Sequence, residues 1–89
     1  MKCMVAIQFH PQQLAEQQRT EMMALIPQEQ AHIKKLREQG VVEAIYISAD
    51  RAQVWIVVQG ESVTTIEQEL KSFPLYPFMD LLFTPLLDN

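Results

Sequence analysis

Glu29 is the side chain in this sequence hardest to explain as structure alone. It stands in "LIPQEQAHIKKL", among apolar positions Met22, Leu25, Ile26, Ile33 and Leu36 that recur at helical spacing as one stripe. If the helix runs through Pro27, the carboxyl falls near the centre of that stripe, where desolvation raises its pKa toward the range of a general base. If Pro27 kinks the helix, Glu29 rotates outward into solvent and has no such role. His32, one position off the stripe, is either the natural proton carrier near neutral pH or a surface residue at the helix edge. Glu29 and His32 also stand at i, i+3, a spacing seen in metal sites, but without two more ligands the pair holds no metal.

Three further side chains carry polar atoms at useful places. His10 closes the first apolar run before Pro11, either as a donor to a carbonyl or carboxylate at a pocket mouth or as a solvated loop residue. Tyr46 and Trp55 point to the same face from opposing strands. They form a substrate-binding wall with a hydroxyl and an indole N–H, or they fill a dimer interface, or both. Cys3 shares a face with Val5 and Ile7 and reads as an inert core thiol.

The elements that must position these groups follow from periodicity. "KCMVAIQF" alternates, with Cys3, Val5, Ile7 and Phe9 on one face and Met4, Ala6 and Gln8 on the other, which predicts a strand. Residues 12 to 39 are rich in good helix formers and stop at Gly40. Pro27 predicts a kink there, or a break into two helices. "VVEAIYISA" and "AQVWIVVQ" are β-branched and aromatic runs joined by Asp50-Arg51, a hairpin. Ser62 is a good N-cap for a helix that places Val63, Ile66, Leu70 and Phe73 on one side. "MDLLFTPLL" is a last strand, with Pro85 suited to a strand end or sheet edge. In "FPLYPFMD" each proline disfavours the helical conformation in the residue before it, so Phe73 and Tyr76 are expected to be extended.

The order βαββαβ, with right-handed crossovers, gives a ferredoxin-like α+β fold: a four-stranded antiparallel sheet with two helices on one face. The other face would then carry Met4, Ala6, Tyr46, Trp55 and Val57. At roughly 25 cal/mol per Å², covering such a patch is worth a few kcal/mol, and a second copy packed sheet to sheet would do so as a dimeric α+β barrel. Expected interface residues are Met4, Val57, Leu75, Tyr76 and Phe78.

Composition narrows the function classes. The chain has 89 residues, which predicts one small domain over 1–89, and a domain of this size gains from self-association. Seven Lys and Arg stand against eleven Asp and Glu with no basic cluster, which argues against nucleic acid and anionic membrane surfaces as partners. One cysteine excludes an internal disulfide or a Cys-based zinc site within the chain. No window is apolar for the roughly 18 residues that span a bilayer, and the N-terminal run has no small-residue cleavage site. A cytoplasmic protein is expected.

The stretch "FPLYPFMD", set between the second helix and the last strand, resembles the Pro-Leu-aromatic-Pro-aromatic-Met-Asp segment of the muconolactone delta-isomerase family. The similarity extends over roughly residues 27 to 84, with "LREQG" at the first helix end, Tyr46 in the hairpin and Ala49 before the turn. The resemblance implies an enzyme of aromatic-compound breakdown that moves a double bond in a five-membered lactone by abstracting and returning a proton. It implies no metal or organic cofactor and a homo-oligomer built from dimers. Acidic residues occur in this part of the family's first helix, where Glu29 stands here. Met4 and Ile47 occupy positions where the family has a histidine and a basic residue. Two functions are therefore carried forward. One is a cofactor-independent isomerase with Glu29 and His32 as catalytic residues and His10, Tyr46 and Trp55 binding the substrate. The other is a non-catalytic oligomeric module that binds a small ligand or a protein through the same pocket.

Overall fold

The structure, a computed structural model, describes residues 1–9 and 14–87. Strand β1 (Lys2–Phe9) leads to helix α1 (Glu16–Glu38), the hairpin of β2 (Val42–Ile47) and β3 (Gln53–Gln59), helix α2 (Val63–Lys71) and strand β4 (Met79–Leu86). All neighbouring strands are antiparallel in the order β2-β3-β1-β4, with β1 and β3 central. This is the ferredoxin-like α+β arrangement expected from the element order.

Strand alternation sorts the residues onto the two faces. Cys3 and Val5 are fully buried and Ile7 nearly so, opposite Val58, Ile56 and Val54 of β3. Ile66, Leu70 and Phe73, together with Leu36 of α1, close over them to make the core. Gly60 permits this approach, since a Cβ there would lie 2.8 Å from Ile66 Cγ1. The N-cap of α2 is the expected Ser62, whose Oγ accepts from the Thr65 N–H at 3.2 Å. Buried thiol Cys3 has its pKa pushed up by desolvation, as suits a core residue.

Helix α1 runs unbroken through Pro27. Of the kink or break expected at that position, the break into two helices does not occur. It ends as expected, with Gly40 in the left-handed region at φ 77° just beyond the cap residue Gln39. The hairpin turn is wider than Asp50-Arg51. Asp50 Oδ1 accepts from the Ser48 hydroxyl and the Ala52 N–H, and Arg51 takes φ 63°. Those side-chain bonds do the work of the glycine the turn lacks.

The segment "FPLYPFMD" departs from the expected extended lead-in. It folds back as consecutive turns ending in a single 3-10 turn, Tyr76–Phe78, and β4 begins only at Met79. Tyr76 and Phe78 each donate a backbone bond three residues back, to Phe73 and Leu75. These short-range bonds outweigh the extended preference that Pro77 imposes on Tyr76. Pro85 lies in β4, an edge strand, where its missing N–H costs no ladder bond on the open side.

Candidate active site

Between α1 and the helix-covered side of the sheet lies a cavity of about 540 Å³. Its floor is Ile7, Ile45, Val54 and Ile56, its end wall Phe73, Leu75 and Met79, and its roof α1. A volume of this size suits one ring-sized ligand. The roof residues lie along two helical lines, Glu29-Ile33-Arg37 and Gln30-Lys34-Glu38, each spaced by four.

Glu29 is the one charged residue that is buried among the described residues, at 6% exposure. Its Oε1 accepts the backbone N–H of Leu75 at 3.0 Å, across 46 residues of sequence. The Pro-rich segment makes that donor available. Pro74 and Pro77 have no N–H, those of Tyr76 and Phe78 are used by turns, and only the Leu75 N–H remains to be satisfied from outside. Burial pushes the Glu29 pKa up, and the Leu75 N–H, which favours the charged form, partly offsets it. Oε2 has no hydrogen-bond partner among the described residues. A carboxyl held at one oxygen, in an apolar wall, with its pKa raised from the ordinary range, has the attributes of a general acid–base.

The other expected site residues fall elsewhere. His32 does not line the cavity. Its Nε2 meets Ser72 Oγ at 3.0 Å, and because the Ser72 hydroxyl already donates to Glu69 O at 2.5 Å, the imidazole must be the donor. The ring stands edge-on to Phe73, with centroids 5.1 Å apart. His32 thus ties α1 to the C-terminal end of α2, and the one-residue offset from the stripe that allowed a proton carrier turns it out of the cavity. Glu29 and His32 bind separate partners, and no group of three or more His, Cys, Asp or Glu converges among the described residues.

Tyr46 and Trp55 do not line this cavity. They pair across β2 and β3 on the face away from the helices, at 60% and 36% exposure. Ile45, Ile47, Val54 and Ile56, their chain neighbours, line the cavity instead. Because strand side chains alternate, a pocket under α1 excludes both aromatics from its wall. His10 lies outside the described residues. Among expected interface residues, Met4 and Val57 pair on the open face, and Tyr76 and Phe78 are half-buried. Leu75 is corrected: at 5% exposure it belongs to the cavity wall of its own chain.

Lys34 and Arg37 at the edge of the cavity went unread in the sequence. The signal was present, since Arg37 stands two helical turns beyond Glu29 on the same line, but charges in a helix's last turn are ordinarily read as solvated dipole partners.

A family model described as muconolactone delta-isomerase matches residues 1–89. Among solved structures, the crystal structure of muconolactone isomerase superposes with a TM-score of 0.83 at 19% identity, over 100% of this chain and 91% of that one. The 5-chloro-2-hydroxyhydroquinone dehydrochlorinase of Burkholderia phenoliruptrix, solved with 2,5-dihydroxybenzoquinone, superposes with a TM-score of 0.68 at 10% identity, over 100% of this chain and 96% of that one. At such identities the likeness to both is one of fold. No curated protein sequence matches the chain.

Proposed function

The chain belongs to the muconolactone delta-isomerase family, and from that premise we propose that it shifts a proton and a double bond in a lactone or similar small cyclic acid, without a cofactor, with Glu29 as the acid–base group. The observation that carries the reading is a buried carboxyl in the wall of an otherwise largely apolar cavity. Ionised Glu29 takes a proton from a ring carbon made acidic by the lactone carbonyl. The C–H electron pair passes into the ring as a dienolate. The same carboxyl then returns the proton to the far end of the conjugated system, so one C–H bond breaks, one forms, and the double bond moves. The apolar floor keeps water from competing for the dienolate, and the Leu75 N–H orients the carboxyl by holding Oε1.

The open sheet face supports a second copy as partner, giving a homodimer or larger homo-oligomer. Tyr46, Trp55 and Leu82 are exposed there, beside half-buried Met4, Ala6 and Val57. Within the described residues no helix is long and apolar enough to cross a membrane.

Glu29→Gln keeps the shape of the site and removes its base. Assayed on a panel of unsaturated five-membered lactones, it should lower turnover by roughly 10²- to 10⁴-fold with an unchanged circular dichroism spectrum. An unaltered rate would eliminate Glu29 as the base. The second reading, ligand binding without turnover, draws on Ile47, an exposed apolar residue at the cavity where the resemblance implies a basic one. Wild-type protein stabilised by the lactones yet converting none of them would favour it.

A further inference from the structure

Among the described residues, Lys34 and Arg37 are the cations that line the cavity. Neither side chain forms an ion pair or hydrogen bond with a described residue, although Glu38, the last residue of the helix, also borders the cavity. The helix dipole accounts for cations in the last turn of α1, and Lys35 serves that purpose without bordering the cavity. It does not account for two unpaired cations one turn apart, a like-charge arrangement that is mildly unfavourable on a helix, both set against an apolar chamber.

Helix geometry fixes where they stand relative to the buried carboxyl. The Cα of Lys34 is about 7.5 Å and that of Arg37 about 12 Å farther along the helix axis than Glu29. Long helical side chains lean back toward the N-terminus, which brings both head groups toward Glu29. Arg37 offers a planar fork that matches a carboxylate, and Lys34 a point charge beside it.

We propose that Lys34 and Arg37 form the anion-holding end of the cavity, gripping the carboxylate of a compact ring acid whose apolar ring occupies the chamber next to Glu29. This rests on the cavity being the ligand site proposed above, and it assigns the two residues to positioning. The acid group also has to lie on the α1 C-terminal side of the reacting carbon, which selects among ring acids by where the carboxylate is attached.

Binding of cyclopentylacetate, an acid with no double bond to move, tests the grip apart from turnover. Calorimetry on the full chain should show wild type binding the acid more tightly than its methyl ester. The double variant Lys34→Gln, Arg37→Gln should lose roughly 10- to 100-fold in affinity for the acid, with the ester unaffected. Lys35→Gln should match wild type for both. With Glu29→Gln the preference for the acid should remain, which separates this proposal from the assignment of the base. A double variant that holds the acid as wild type does, an equal loss in Lys35→Gln, or a wild type indifferent between acid and ester would each overturn the pair's role.

Discussion

Ile56 is 1% exposed beneath the helices, whereas Trp55, its neighbour on β3, is 36% exposed on the far side. The same contrast runs along β1, where Cys3, Val5 and Ile7 are buried and Met4 and Ala6 are not, since one residue of register separates the two faces. Under α1 and α2 the aliphatic side chains are packed to exclusion, except where the roof of α1 stands off the floor and leaves the cavity. The opposite face carries Tyr46, Trp55 and Leu82, with no element among the described residues to cover it. One face thus holds the cavity proposed for the chemistry, and the other presents apolar area suited to a second copy. Binding and assembly, as proposed, would fall on opposite sides of one sheet.

That separation can be attacked from either side. Ile56→Ala should cost about 2–5 kcal/mol of stability, the range for deleting a buried aliphatic side chain. Val57→Ala, one residue on, should cost less than about 1 kcal/mol in protein dilute enough to be unpaired. Urea denaturation of the two variants measures the difference, and equal losses would erase the distinction between the faces. Next in size, Leu82→Lys should weaken self-association roughly 100-fold or more, because an unpaired charge would be trapped in the covered patch. Light scattering should find monomers that keep the wild-type ligand affinity of the cavity. A wild type that is already monomeric at millimolar concentration would refute the pairing of open faces.

The smallest expected effect is a pH dependence confined to the cavity face. The folded pKa of Glu29 is raised above its unfolded value by burial, so between those values the native state binds more protons than the unfolded one. Stability therefore falls as pH rises through that window and stays lower above it. Glu29→Gln should remove this fall and leave a more stable protein near neutrality, as followed by thermal melts across pH 4 to 8. Turnover should run the other way, rising with pH as the base ionises. A wild-type stability that climbs through the same window, with Glu29→Gln removing the climb, would mean that the carboxylate is held charged rather than desolvated.

Much of the fold was legible because alternation and helical spacing act locally. The faces of β1, the Ser62 cap, the Gly40 stop and the core line Ile66-Leu70-Phe73 all follow from neighbours in sequence. The family resemblance of "FPLYPFMD" was legible too, but not its conformation, since backbone bonds inside the turn outweighed the preference of single residues. Glu29 could be singled out because an acid in an apolar stripe conflicts with its surroundings. The orientation of Glu29 could not be settled locally, as it depends on α1 continuing through Pro27 and on a donor 46 residues away. Tyr46 and Trp55 were placed on the correct face, but the pocket formed on the other one, which only the stand-off between α1 and the sheet decides. Lys34 and Arg37 look like any cations at a helix end until the cavity beneath them is seen.

The bond between Glu29 and the Leu75 amide also bears on how the protein matures. Its two partners belong to α1 and to the turn before β4, with the hairpin and α2 in the chain between them. Contacts of such long sequence separation are costly to form early in folding. Until burial closes over it, Glu29 is an ordinary solvated acid. The completion of the fold and the raising of the proposed base's pKa would then be a single event.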